Sequence, residues 1–298
     1  MVVQGWKSFA VAALCVSESV LAAHPPGAIE LLGEPTKVAV GIVSSEFSEI
    51  RATASPDGRL LLWGSTNRPG GPGGWNIWLS RRTANGWSAP EAAPFNSEAN
   101  DFDPAFSPDG RWVYFFSNRP GGFGGDDIYR VVVTQTGFGA VEHLGAEVNS
   151  AGDEWAPGLS PNGTLLLFSS DGRGGQGRHD LFVARAKGIS WSDATPLPGA
   201  VNTSAEEFDA TFLSDGTSIV FARSANLETD RITLTFAARG ASGYTFGTPV
   251  PFTTTLRGVD ALGPTIDWHD RSILLFSAAA TNSNNKRPDI YKVRYRLR

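Results

Sequence analysis

The chain has 298 residues, a formal net charge of −5, 34 glycines, 19 prolines and 41% apolar residues. Glycine and proline at that density interrupt the chain too often for long helices, while the apolar share is ample for a core, so an all-β fold is expected. A mildly acidic surface argues against nucleic acid or anionic lipid as the partner.

In chain order, Lys7 precedes an apolar stretch from Phe9 to Val16, and Val20-Leu21-Ala22-Ala23 supplies small residues for cleavage. This pattern reads as a secretory signal peptide over residues 1–23, which would place residues 24–298 in the periplasm or outside the cell. Cys15 is the only cysteine, and Leu14 stands where lipoprotein processing needs a small residue. The mature chain is therefore expected to use neither a disulfide nor a thiol nucleophile. No other segment is long and apolar enough to span a bilayer.

Next comes Gly41–Glu49 (GIVSSEFSE), which reads like Gly199–Glu207 (GAVNTSAEE) although it precedes every complete repeat. The repeats follow. Ser55-Pro56-Asp57-Gly58, Ser107-Pro108-Asp109-Gly110, Ser160-Pro161-Asn162-Gly163, Leu213-Ser214-Asp215-Gly216 and the degenerate Trp268-His269-Asp270 are succeeded by Arg59, Arg111, Thr164, Thr217 and Arg271, at spacings of 52, 53, 53 and 54 residues. Such a regular period is architectural. Each turn leads into a short branched or aromatic run, Leu60–Trp63, Trp112–Phe116, Leu165–Phe168, Ile219–Phe221 and Ile273–Phe276, which reads as a buried strand. The second repeat parses into four strands: Phe102–Phe106, Trp112–Phe116, Ile128–Val133 and Gly139–Leu144.

A four-stranded sheet of this size cannot bury both faces alone, and radial stacking solves the problem. Four units, 48–100, 101–152, 153–206 and 207–258, are complete, and the fifth, 259–298, stops after its third strand, Ile290–Tyr295. The expectation is one domain, residues 24–298: a five-bladed β-propeller of four-stranded antiparallel blades, its ring closed by an N-terminal strand around Thr36–Val43 that completes the last blade and hides two edges.

The second unit carries Asp101, Pro104, Ser107–Gly110, Ser117-Asn118-Arg119 and Asp127-Ile128-Tyr129. The first keeps Thr66-Asn67-Arg68 and Asn76-Ile77-Trp78, and the third Ser170-Asp171-Gly172-Arg173 and Asp180-Leu181-Phe182. The fourth departs, with Ala222-Arg223 and Arg231-Ile232-Thr233, and the fifth keeps Asp289-Ile290-Tyr291. This pattern resembles the WD40-like (PD40) repeats of TolB-type propellers. The resemblance implies the fold and leaves activity open, since such propellers serve as protein-docking modules, sugar binders and enzyme domains.

Strand alternation gathers Glu49, Asp101, Glu154 and Glu207 at one mouth with Arg68, Arg119, Arg173 and Arg223. Repetition of these pairs points first to a structural role, neighbouring blades locked by charge-assisted bonds. As a ligand face the same ring, with His179 and the loop aromatic Trp75, would bind a protein segment or a carbohydrate, the expected molecule being a monomer. Phe123 occupies the matching loop of the second unit. The enzymatic alternative is a hydrolase or lyase using Asp101 and Glu154 with His179 and an Arg173 clamp; a scaffold without small ligand is the third reading. Of four histidines only His179 shares the mouth with the carboxylates, so no cofactor and no histidine-based zinc site is expected. Ca²⁺ in the channel, on Asp101, Asp103, Asp126 and Asp127, lacks EF-hand spacing. The glycine-rich loops Pro69–Gly74 and Pro120–Gly125 open no helix and so lack the dipole of a phosphate site.

Overall fold

The computed structural model describes residues 28–239, 245–251, 256–280 and 287–298, and the expected leader lies outside them. Five antiparallel sheets form the five blades of a propeller, and no helix occurs among the described residues. The innermost strands are Ser48–Ala54, Asp101–Phe106, Glu154–Leu159, Glu206–Phe212 and Val259–Ile266, each packed against the innermost strand of both neighbouring blades. Blade two forms as its apolar alternation and turns dictate: Asp101–Phe106, Trp112–Ser117, Asp127–Thr134 and Gly137–His143.

The ring closes through the N-terminus, with one correction of register. Ile29–Lys37, not Thr36–Val43, is the outer strand of blade five, pairing antiparallel with Asp289–Leu297 from Ile29↔Leu297 to Lys37↔Tyr291. Gly199–Glu207 follows the fourth strand of blade three, so its N-terminal counterpart is likewise the connection after a fourth strand, and the strand itself lies upstream. Residues 38–43 instead form a turn, with Ile42 and Val43 N–H both donating to the Ala39 carbonyl.

The core lies between blades. Leu62, Ile77 and Leu79 of blade one meet Phe106 and Phe115 of blade two, and Leu167 and Leu181 of blade three meet Phe212 and Phe221 of blade four. At the end away from the acids the Ser-Pro-Asp-Gly turns also touch. Gly110 has φ 71°, and a Cβ there would sit 3.3 Å from Pro56 of the preceding blade, so glycine answers both the left-handed backbone and the close approach.

Candidate functional site at the acidic mouth and axis

The four repeated carboxylates are fully buried, and each caps the turn that leads into its own blade. Glu49 accepts from the N–H and Oγ of Ser45, Asp101 from those of Ser97, Glu154 from those of Ser150, and Glu207 from the N–H and Oγ1 of Thr203. The underlying signal, a Ser or Thr four residues before the acid, is what Gly41–Glu49 and Gly199–Glu207 share. The residue before that hydroxyl also works across blades: Asn96, Asn149 and Asn202 each bond both the N–H and the carbonyl of Ile77, Ile128 and Leu181 in the preceding blade. At the closure Ser44 takes that place and donates to the Ile290 carbonyl.

The arginines are committed as well. Arg119 binds Asp101 directly and the Phe95 carbonyl; Arg223 binds Glu207 and the Val201 carbonyl. Arg68 donates to the Ile42 carbonyl and Ser45 Oγ, and Arg173 to the Ala146 and Asn149 carbonyls. Burial pushes Glu49 up to about 7 against the pull of its Ser45 bonds and Arg68, and raises Glu154 and Glu207 in the same direction. The structure thus brings the expected acids and arginines together, and the acids' hydrogen bonds are spent inside the protein, while Arg68 Nη1 and Arg173 Nε are buried without a partner.

A second polar set occupies the axis. Two residues beyond each acid position, every innermost strand bulges with a left-handed residue: Arg51 (φ 49°), Asp103 (52°), Ala156 (52°), Asp209 (49°) and Gly263 (59°). Four non-glycine residues in that region represent strain held by the surrounding fold. Arg51 is completely buried, and its guanidinium donates to the carbonyls of Ala156, Pro157, Ala210 and Pro264, tying blade one to blades three, four and five. Asp103 is 5% exposed and its Oδ1 has no hydrogen-bond partner. Burial, then the Asp209 charge, holds Asp103 well above the usual carboxylate range despite Arg51. Asp209, raised mainly by burial, accepts the Gly263 N–H at 2.9 Å and feels the pull of Arg51 and His179.

His179 joins this axis to the mouth of blade three. Trp155 stacks on its ring at 4.0 Å between centroids and 21° between planes, and the Trp155 Nε1–H donates to Asp126 Oδ2 at 2.8 Å. Burial, ahead of the Asp153 and Asp127 charges, lifts Asp126 to about 6 despite that bond. The aspartates considered for Ca²⁺ separate: Asp101 sits with Arg119, Asp103 on the axis, Asp126 under Trp155, and Asp127 accepts the Phe123 and Gly124 N–H groups. Trp75 and Phe123 keep 43% and 55% of their surface exposed, while Trp75 leans on Phe102 and Phe123 meets His143 edge-on.

Sequence reading passed over Arg51 and Asp209, and with them Trp155, Asp153 and Asp171. Aligned repeats carry a visible signal for the first two, because Arg51, Asp103, Ala156, Asp209 and Gly263 share one position and mix charged with small residues there.

No family model matches the chain. A 75-residue segment is 37% identical to an uncharacterized protein of Agrobacterium fabrum, covering 25% of this chain and 22% of that relative's length. Among solved structures the chain is similar to TolB from Acinetobacter baumannii (TM-score 0.52, 16% identity, 84% of this chain and 55% of that one). It is also similar to a candidate TolB from Agrobacterium tumefaciens (TM-score 0.51, 18% identity, 80% and 72%) and to a GH62 hydrolase in complex with xylotriose (TM-score 0.50, 10% identity, 86% and 96%). At these identities the likeness is one of fold. Among the described residues no helix is long and apolar enough to cross a membrane.

Proposed function

We propose that the protein is an exported β-propeller that works by binding, with the axial end below the acidic mouth as its recognition site and a carbohydrate or a protein segment as its ligand. The observation that carries this reading is Asp103: a buried carboxylate whose Oδ1 lacks a donor, on a strained bulge facing Asp209. Buried acceptors without donors are rare in folded proteins because each forfeits its hydration, and a ligand hydroxyl or ammonium group answers that need. The half-exposed faces of Trp75 and Phe123 at the same end suit stacking against sugar rings or an apolar side chain. Export rests on the leader pattern of residues 1–23.

The same two aspartates favour a second reading, a hydrolase or lyase on a sugar-like substrate. Burial raises both carboxylates, and the charge of Asp209 raises Asp103 further, the direction that a general acid requires. Asp101, Glu154 and Arg173, named for that role from sequence, are engaged in internal bonds.

One experiment separates these readings. Glycan and peptide arrays probed with the wild type, Asp103→Asn and Asp209→Asn should reveal a ligand whose affinity falls at least tenfold in both variants. Product release from the bound glycan, lost in both variants, would establish the enzyme; binding undiminished by either substitution would remove the axis from consideration.

A further inference from the structure

Above the axial pair, His179 is 1% exposed and its Nε2 has no hydrogen-bond partner. Its other ring nitrogen, Nδ1, lies 2.8 Å from Glu206 Oε2, which also accepts the His179 backbone N–H at 3.2 Å. An ionised carboxylate can only accept, so Nδ1 carries a proton, and in the neutral ring that a metal takes it is Nε2 that presents the lone pair. That lone pair faces Asp171 Oδ2 at 3.9 Å, another acceptor. Asp153 supplies a third, the ligand atoms of Asp153, Asp171 and His179 all lying within 4.8 Å of one another. Three acceptors converging without a donor describe the environment of a cation.

The surroundings hold these groups in place. Asp171 Oδ1 accepts the Asp153 N–H at 2.8 Å, and Asp153 Oδ1 accepts the Asp126 N–H at 2.9 Å, so the backbone anchors one oxygen of each carboxylate. A Cβ on Gly125 would collide with the Asp153 carboxylate, and one on Gly152 with that of Asp171, so two glycines clear the approach. Trp155 walls one face of the imidazole. Glu206 stands where metal-bound histidines carry the carboxylate that orients the ring and fixes its tautomer.

We propose that Asp153, Asp171 and His179 bind one divalent transition-metal ion of the Zn²⁺ or Mn²⁺ class through one imidazole nitrogen and two carboxylate oxygens, at the junction of blades two, three and four. One nitrogen with two oxygens suits a borderline ion, whereas Ca²⁺ takes six to eight oxygens. Bonds of about 2.0–2.2 Å set the ligand atoms roughly 3–3.5 Å apart, so binding draws the Asp153 and Asp171 loops inward by about 1 Å. Three protein ligands leave open coordination positions for water or a ligand group. The site does not depend on the axial binding reading, since it shares no residue with Asp103 and Asp209.

Calorimetric titration of the chelator-treated full chain with Zn²⁺, Mn²⁺ and Ca²⁺ is expected to give one site per chain, with Ca²⁺ at least tenfold weaker. Asp171→Asn and His179→Ala should each weaken it more than tenfold, and Glu206→Gln by about 10–100-fold at unchanged stoichiometry. Asp103→Asn should leave metal affinity intact, which keeps this test distinct from that of the axial reading. Should His179→Ala not fold, Asp171→Asn, a partly exposed loop substitution, still decides the matter. Absence of saturable Zn²⁺ or Mn²⁺ binding, equal strength for Ca²⁺, or affinity unmoved by Asp171→Asn would each overturn the assignment.

Discussion

The end of the ring that carries the acids holds two sets of polar groups with opposite habits. Glu49, Asp101, Glu154 and Glu207 recur blade after blade, are fully buried and accept several hydrogen bonds each. Asp103, Asp209 and His179 break the repeat, and this set includes bare atoms, Asp103 Oδ1 and His179 Nε2. The difference teaches where to look in a repeat protein: the mouth acids that recur in four blades are satisfied by the turns before them, while a buried group present once has no such partner built into the unit.

Removing a member of the repeated set should do the most damage. Asp101→Ala strands Arg119 and the Ser97 donors inside the protein and is expected to cost about 3–5 kcal/mol, read from urea unfolding. Asn149→Ala, which leaves the N–H of Ile128 without its partner and the carbonyl with the Leu144 N–H alone, should cost roughly 1–3 kcal/mol by the same measurement. In the departing set the sign should reverse. Asp103→Asn removes a carboxyl group whose charged form burial and Asp209 disfavour, and is expected to gain about 0.5–2 kcal/mol at pH 8, the usual trade of stability against a functional site. A loss as large as that of Asp101→Ala would erase the distinction between the sets.

The pH profile sharpens the comparison further. Glu49 and Asp126 hold their protons to about 7 and about 6 when folded, against ordinary values of 4.5 and 3.8. Between pH 4 and 7 the folded chain therefore binds more protons than the unfolded one, and stability declines as pH rises through that window. Thermal midpoints should fall from pH 5 to pH 7.5, and Glu49→Gln should flatten part of the slope; midpoints that climb would contradict the burial argument. The smallest effect belongs to Asp171→Asn without metal, expected within about 0.5 kcal/mol of wild type because the side chain is a partly exposed loop carboxylate.

Much of this architecture was legible in the residues. The Pro-Asp-Gly turns and the apolar runs behind them placed the strands of blade two within one or two residues of their ends. The closing strand was misplaced because the shared segment Gly41–Glu49 belongs to a connection, while the strand's own side-chain partners, Arg296 and Arg298 for Glu30 and Asp289 for Lys37, lie more than 250 residues away. The acid and arginine ring was identified, but its saturation was not, since the Ser and Thr donors four residues upstream were not read as its partners.

By itself, then, the order of residues determined the period, the blade and the number of blades, because turn chemistry and alternating burial act over a few neighbours at a time. Only the folded ring decided which side chains meet on its axis. Arg51 reaches carbonyls more than a hundred residues away, and Asp103, Asp209 and His179 come from three different blades. Such encounters depend on the angle at which whole sheets pack, a quantity that no local pattern encodes.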